Sequence, residues 1–265
     1  MTPAEIAGAG EALFEAERTR RQIGLLTLQH PDMDMADAYA VQADFCARKE
    51  ALGAHRIGWK IGLTSKAMRD ALQIDVPDSG LLYDDMVFQT GGEVPAGRFI
   101  QPRIEAEIAF VMKRDLEGPV SRDDVLAATD YVAPALEILD TRILRKDPAT
   151  GALRKIFDTI SDNAANAGVV LGRARHAPGA VDLRWTGAIV ARDGAVEETG
   201  LGAGVLDDPP LAVAWLAGRL AEQGVGIAAG DVVLSGSFIR PLEAPPGSAI
   251  TADFGDFGSV SIAFG

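Results

Sequence analysis

Hydrophobic residues recur at helical spacing through the first 55 residues, and the period changes after them. The chain opens with a capping box from Thr2 to Glu5, a signature of a helix N-terminus. A second helix is predicted to start after Asp34, its N-cap, and to run to about Ala51. The pattern therefore predicts an N-terminal helical region over residues 1–55.

From Arg56 the apolar residues alternate with glycine and lysine, the two-residue period of a strand. Clusters rich in Gly and Pro, such as VPDSG, QTGGEVPAG and EAPPGS, then divide the chain into short segments. Two helices are predicted to interrupt these segments, one from a capping box at Ser121 and one between Pro209 and Gly224. The remainder, residues 56–265, is predicted to be a β-rich catalytic domain.

Charge and composition restrict the class of protein. The chain has 265 residues with 38 acidic against 25 basic side chains, a net charge of −13. No basic stripe is available to replace the counterions of a nucleic acid, and the apolar runs are too short to cross a bilayer. The acidic N-terminus lacks the features of a signal peptide, so we expect a cytoplasmic protein. Cys46, the single cysteine, is interpreted as a packing residue, and the three scattered histidines do not favour a zinc site.

Three glutamates carry the strongest chemical signal. Glu105 and Glu107 are two apart in a strand and share a face, which by itself is typical of a solvated surface. Glu137 changes this interpretation because it interrupts the apolar run YVAPALEIL, where an unpaired charge would cost several kcal/mol. Three oxygen ligands without Cys or His suit Mg²⁺ or Mn²⁺ with open positions for substrate.

Other polar residues have two interpretations each. Lys60 is flanked by glycines that leave room for a ligand, or it extends to solvent from an edge strand. Asp78 and Asp84 are active-site candidates or ordinary turn residues. Asp162 and Ser237, next to small residues, either cap turns or contact substrate. A basic cluster is either a solvated face or holds a distal carboxylate; its members are Arg142, Arg145, Lys146, Arg154 and Lys155.

Motifs along nearly the whole chain resemble the hydratase branch of the fumarylacetoacetate hydrolase superfamily. They include KIGLTSKAM from Lys60, PRIEAEIAFV from Pro102, PALEILDTR from Pro134, RKIFDTISDNAANAG from Arg154 and GSFIRP from Gly236. The resemblance implies an α+β fold, a mixed β-sandwich-like roll with an N-terminal helical region. It implies a homo-oligomer, with possible association with a pathway decarboxylase.

The resemblance also implies an activity and roles for residues. The expected reaction is metal-dependent addition of water to 2-oxo-hept-4-ene-1,7-dioate in aromatic meta-cleavage catabolism, the homoprotocatechuate (4-hydroxyphenylacetate) pathway. Glu105, Glu107 and Glu137 are expected to bind Mg²⁺ or Mn²⁺. The expected catalytic residues are Lys60, Asp78 and Asp84, and the expected substrate-binding residues are Ser161, Asp162, Ser237 and Arg142.

Several alternatives stay open at the level of sequence. Decarboxylation of 4-oxalocrotonate and hydration of 2-hydroxypentadienoate would use the same metal site. Hydrolysis of a carbon–carbon bond in an acylpyruvate is disfavoured because that branch generally uses a His-Glu pair and this chain has only three histidines. A non-catalytic partner subunit is the remaining alternative, which the complete set of Glu105, Glu107, Glu137 and Lys60 argues against.

Overall fold

The N-terminal helices begin where the sequence supplies caps. The computed structural model describes residues 1–66, 69–70, 74 and 76–265. Its first helices are α1 (Pro3–Thr19), α2 (Leu26–Gln29) and α3 (Met35–Ala51). The Thr2 side chain accepts a hydrogen bond from the Glu5 N–H, and Asp34 accepts one from the Asp37 N–H. The capping box predicted at Thr2 and the N-cap predicted at Asp34 are therefore confirmed.

The N-terminal helices share one apolar cluster with side chains from the rest of the chain. Leu13 and Phe45 are fully buried in it together with Tyr83 and Ile160, and Cys46 is buried there as well. The division of the chain at residue 55 stays a prediction, since this cluster spans it.

Strands are the main regular elements after residue 55, as the alternating pattern predicts. The elements that follow α3 are β1 (Arg56–Gly62), β2 (Asp78–Tyr83), β3 (Val87–Gln89), β4 (Gly92–Val94), β5 (Arg103–Met112), α4 (Arg122–Ala128), β6 (Thr129–Leu139), α5 (Ile156–Ser161), β7 (Asn166–Leu171), β8 (Gly187–Arg192), β9 (Ala195–Leu201), α6 (Pro209–Ala221), β10 (Val232–Leu234), β11 (Leu242–Glu243), β12 (Ala249–Asp253) and β13 (Ser259–Phe264). Short 3₁₀ turns occur at Asp84–Met86, Asn163–Ala165, Gly202–Gly204 and Gly255–Phe257.

The strands form two mixed sheets. The larger sheet has the order β2-β1-β10-β5-β6-β7-β3, with β11 also paired to β5, and the smaller has the order β4-β13-β12-β8-β9. The β1–β10 and β3–β7 pairs are parallel, whereas the β10–β5, β5–β6 and β6–β7 pairs are antiparallel. Helices on a pair of mixed sheets confirm the expected α+β, sandwich-like fold.

The main core lies where the two sheets and α6 bury their apolar faces together. Ile108 and Phe110 of β5 belong to the same buried cluster as Ile250 and Ile262 of the smaller sheet and Leu216 of α6. Since side chains alternate along a strand, the other face of β5 is free to carry Glu105 and Glu107. The apolar residues thereby fix which face of the larger sheet carries the charged groups. Among the described residues, no helix is long and apolar enough to span a membrane.

Candidate active site

Strand register brings the three predicted metal ligands together. Glu105 of β5 lies directly opposite Glu137 of β6, and Glu107 follows two residues later on the same face. One carboxylate oxygen from each residue lies within 4.8 Å of those of the other two. Among the described residues, no other group of three His, Cys, Asp or Glu side chains has this geometry.

The three glutamates have few protein partners for their charge. Glu107 Oε2 accepts a hydrogen bond of 2.7 Å from the Gly236 N–H. Among the described residues, Glu107 Oε1 and both oxygens of Glu137 have no hydrogen-bond partner, although both side chains are fully buried. Buried carboxylates without partners are costly unless a cation neutralises them. The site therefore has the donor set and the unsatisfied charge that a hard divalent cation requires.

Gly236 is required at its position by the space around Glu107. Its φ is +110°, and a Cβ there would lie 2.3 Å from Thr64 Oγ1. A larger residue would clash with Thr64 and displace the backbone N–H from Glu107. The GSF segment therefore serves the metal site through its backbone rather than through a side chain alone.

Lys60 lies inside the larger sheet, beside the glutamates. Strand β1 pairs with β2 on one side and β10 on the other, so Lys60 is not on an edge strand and does not extend to solvent. Its side chain is 3% exposed, and Nζ lies 3.3 Å from Glu137 Oε1. Burial by itself lowers the pKa of Lys60, but the charges of Glu137 and the neighbouring carboxylates raise it above its ordinary value. Lys60 is therefore an ammonium ion in this arrangement.

The pKa values of the three carboxyl groups are raised as well, which for an acid disfavours the charged form. Burial, followed by the charge of Glu137, raises the pKa of Glu105 to about 8. Burial also raises the pKa of Glu107 and of Glu137 above the usual range. The positive charge of Lys60 only partly offsets these effects. One lysine thus does not neutralise three glutamates, which again favours a site for an added cation.

Asp78 is a buried strand residue rather than a surface turn residue. It pairs with Gly62 in the β1–β2 register, and a Cβ at Gly62 would lie 2.1 Å from Asp78 Oδ1 and 3.1 Å from Lys60 Nζ. The role expected for the flanking glycines is corrected accordingly. Gly62 makes room for Asp78 and Lys60. Gly58 makes room for the Val232 carbonyl, whose oxygen would lie 1.9 Å from a Cβ at that position. Burial raises the pKa of Asp78.

A cavity of about 650 Å³ opens onto this group. It is large enough for a small organic acid. Its polar lining consists mainly of Lys60, Thr64, Ser65, Asp78, Arg103, Glu105, Arg154, Lys155, Thr159 and Ser237. The Ser237 hydroxyl donates to the Ile239 carbonyl at 2.9 Å, so this predicted substrate ligand lies at the cavity with its proton already engaged.

Four other predicted residues do not line the cavity. Asp84 accepts a hydrogen bond from the His55 N–H at 3.0 Å and has an exposed side chain, so it stabilises a loop. Arg142 and Asp162 form a buried ion pair with each other. Ser161 is fully buried, and its hydroxyl has no partner among the described residues. Spacing in the sequence gave no indication that these side chains point away from the cavity.

Arg103 is a cavity residue that the sequence interpretation missed. It precedes Glu105 by two residues in β5 and therefore shares its face. The alternation that identified Glu105 and Glu107 could have identified Arg103 as well. Arg154, a member of the basic cluster, also lines the cavity.

A turn in the left-handed region forms part of the cavity wall. Asn163, Ala164 and Ala165 have φ values of 50°, 52° and 58°. Such conformations are disfavoured for residues other than glycine by about 1 to 2 kcal/mol each. The Asn163 side chain stabilises the turn by bonding to both the N–H and the carbonyl of Leu81. Strain of this kind persists where a wall of a functional site must be held in place.

The chain is similar to curated enzymes over nearly all of its length. It is 50% identical over 255 residues to a 2-oxo-hept-4-ene-1,7-dioate hydratase of Escherichia coli, covering 96% of each chain. The chain belongs to the hydratase and decarboxylase branch of the fumarylacetoacetate hydrolase superfamily. It is also 41% identical to a 2-hydroxyhexa-2,4-dienoate hydratase of Comamonas testosteroni, again over 96% of each chain. The chain matches no protein-family model.

A solved structure supports the same relationship. The 4-oxalocrotonate decarboxylase from Pseudomonas putida G7, complexed with magnesium and adipate, superposes with a TM-score of 0.93 and 36% identity. The match covers 100% of this chain and 98% of the decarboxylase. The family is thus one of enzymes, and the carboxylate set found here is consistent with a divalent-metal site.

Proposed function

We propose that this protein is a metal-dependent hydratase that adds water to 2-oxo-hept-4-ene-1,7-dioate and forms 4-hydroxy-2-oxoheptane-1,7-dioate. The observation that carries the proposal is the group of Glu105, Glu107 and Glu137, in which one oxygen of each lies within 4.8 Å of the others, with Glu105 at the cavity and Lys60 beside the group. Glu107 and Glu137 are fully buried and keep oxygens that have no hydrogen-bond partner among the described residues. The 50% identity to the E. coli hydratase supports the choice of reaction.

The three glutamates would hold Mg²⁺ or Mn²⁺. When bound, the ion supplies positive charge that polarises the oxygens of a 2-oxo acid. Glu105 faces the cavity, whereas Glu107 and Glu137 lie fully buried behind it. The Gly236 N–H fixes the orientation of the Glu107 carboxylate, so this ligand is held in position before any ion binds.

Lys60 and Asp78 are the residues placed to handle protons. Lys60, whose Nζ lies 3.3 Å from Glu137 Oε1, is positioned to donate hydrogen bonds to a substrate oxygen. Asp78 Oδ1 is buried and has no hydrogen-bond partner among the described residues. Its raised pKa allows the carboxyl group to accept a proton and return it.

The reaction then divides into two proton movements and one addition. Starting from the dienol form, Asp78 takes the proton from the 2-hydroxyl oxygen and delivers it to C5, which leaves a double bond between C3 and C4 conjugated to the ketone. Water adds with its oxygen at C4, and a proton goes to C3. Lys60, as a fixed cation at the site, stabilises negative charge on the C2 oxygen during both stages.

The direct test is turnover of 2-hydroxyhepta-2,4-diene-1,7-dioate by protein stripped of metal with EDTA, with and without added Mg²⁺. Loss of dienol absorbance and a product heavier by one water are expected only with the metal. Glu137→Gln should abolish the metal-dependent gain. Turnover that is equally fast without any divalent metal would contradict the proposal.

The assignment of Lys60 has its own test. Lys60→Ala is expected to lower kcat by about 10²- to 10³-fold, the range typical of a group that stabilises negative charge on an oxygen in the transition state. Lys66→Ala is the matched control, since Lys66 is exposed and pairs only with Asp70 among the described residues. Full activity in Lys60→Ala would exclude a role for this residue.

Decarboxylation of 4-oxalocrotonate is the second candidate. It is favoured by the match in fold to the P. putida decarboxylase over the whole chain. Release of CO₂ from 4-oxalocrotonate, without gain of water by the seven-carbon dienol, would select this candidate.

We also propose a setting for the enzyme. The reaction fits aromatic meta-cleavage catabolism, in which the homoprotocatechuate route supplies a seven-carbon dioate. A homo-oligomer, and association with a pathway decarboxylase, are proposed on family grounds. Sedimentation of the protein alone and with such a decarboxylase would test both.

A further inference from the structure

Positive charge collects on the wall of the cavity next to the carboxylates. Arg103 and Arg154 line the cavity together with Glu105. Arg145 lies beside them, since its carbonyl accepts a hydrogen bond of 3.0 Å from the Arg154 N–H and its guanidinium donates to Gln101, two residues before Arg103. Burial, followed by the charges of Arg103 and Arg154, lowers the pKa of Arg145 to about 10. Three guanidinium groups at such close range repel one another, and an anion between them would relieve the repulsion.

Arg142 is not available to bind an anion at the cavity. It is 2% exposed, pairs with Asp162 and with Glu17, and donates to two backbone carbonyls. Of the arginines in the basic cluster, Arg154 is the one that lines the cavity.

Arg103 and Arg154 keep unused donors. Arg103 pairs with Glu243 at 3.0 Å through Nη2, but its Nε is buried without a partner in the described structure. Arg154 donates from Nη1 to the Thr141 hydroxyl at 2.6 Å, and no carboxylate of the described residues lies within ion-pair distance of it. Burial lowers the pKa of Arg154, and the negative charges of Asp162 and Asp158 only partly offset this effect. A guanidinium carries five N–H donors, so both residues can still bind a carboxylate.

The geometry points to a subsite for the second carboxylate of a dicarboxylate substrate, formed by Arg103 and Arg154, which selects dioates over monocarboxylates. Arg103 lies two residues from Glu105 on one face of β5, a spacing of about 7 Å. A chain of a few carbons therefore suffices to join a group at the glutamates to a carboxylate at the arginines. This inference rests on the proposed function and deepens it.

A binding experiment tests the subsite without turnover. 2-Oxoheptanedioate and 2-oxoheptanoate differ only in a terminal carboxylate, and neither has the double bond that hydration needs. Titration calorimetry with Mg²⁺ present should show that the dioate binds about 100-fold more tightly, the range of a charge-assisted pair. Arg154→Met should remove most of this preference. Arg173→Met is the control, since Arg173 is exposed and does not line the cavity.

Activity on two substrates gives the second readout. Arg154→Met should lower kcat/KM for 2-hydroxyhepta-2,4-diene-1,7-dioate by about 100-fold more than for 2-hydroxypenta-2,4-dienoate. Arg103→Met should also lower kcat/KM more for the dioate than for the monocarboxylate. Circular dichroism would verify that both variants fold. Equal losses on both substrates, or an unchanged dioate preference in both variants, would overturn the subsite. If the unaltered protein hydrates neither substrate, the proposed function fails, and the calorimetric comparison still decides the subsite.

Discussion

Two buried charge clusters of this protein differ in how completely their charges are satisfied. The Arg142 network, consisting of Arg142, Asp162, Glu17 and Lys49, pairs each charge with another, and Arg142 also stacks on the Phe45 ring at 5.4 Å. The carboxylate cluster, consisting of Glu105, Glu107, Glu137 and Lys60, has one lysine for three glutamates and unpartnered oxygens. Completed pairing is typical of a structural role, whereas incomplete pairing at a cavity is typical of a site that binds something.

The largest expected effect is loss of function in the carboxylate cluster without loss of stability. Glu107→Gln keeps an oxygen that can accept from the Gly236 N–H but removes a metal ligand and a negative charge. We expect hydration to fall by about 10³-fold or more, because the metal's contribution to a transition state is several kcal/mol. The thermal midpoint of the metal-free protein should stay the same or rise, since a buried unpaired charge is removed.

Calorimetric melting of the metal-free variant would check this directly. A strongly lowered midpoint would show that Glu107 stabilises the fold. The carboxylate cluster would then have a structural role, as the Arg142 network does.

Breaking the Arg142 network should, in contrast, reduce the stability of the fold. Asp162→Asn leaves Arg142 buried with fewer compensating charges, which is expected to lower the free energy of unfolding by about 3 kcal/mol or more. Urea denaturation measures the change. Arg18→Met, which breaks an exposed pair with Glu15, is the matched control and should cost less than about 1 kcal/mol. Similar losses in the two variants would show that the buried network contributes no special stability.

The pH dependence of metal binding further tests the incomplete charge pairing of the carboxylate cluster. The pKa of Glu105 is raised to about 8 by burial and by Glu137, so below that pH the carboxyl group holds a proton that Mg²⁺ must displace. Affinity for Mg²⁺ should therefore rise with pH below about 8, by up to about tenfold per pH unit for each carboxyl proton that the ion displaces. Titration calorimetry in buffers of different ionisation enthalpy would detect the released proton. Affinity independent of pH between 6 and 8 would contradict the raised pKa.

The smallest expected effect comes from the packing around the carboxylate cluster. A methyl group at Gly62 would meet Asp78 Oδ1 at 2.1 Å and Lys60 Nζ at 3.1 Å, so Gly62→Ala must displace both groups. We expect kcat to fall by about tenfold through misplacement of these groups. Gly8→Ala is the control, since a Cβ there would meet nothing within 4 Å. Unchanged kcat in Gly62→Ala would mean that the placement of Asp78 is not critical.

The sequence by itself determined the elements and the chemical type of the site. Capping boxes at Thr2 and Asp34 set helix starts, because they depend on contacts three residues apart. Alternation along β5 put Glu105 and Glu107 on one face, since the period of a strand is two. Motifs spread along the whole chain identified the family.

Only the tertiary structure decided which charges are satisfied. Pairing of β5 with β6 placed Glu137 opposite Glu105, and pairing of β1 with β2 placed Asp78 beside Lys60. The same structure joined Arg142 to Asp162 and left Arg154 at the cavity. Local sequence cannot separate these outcomes, because the solvation and pairing of a charge depend on groups brought together from distant parts of the chain.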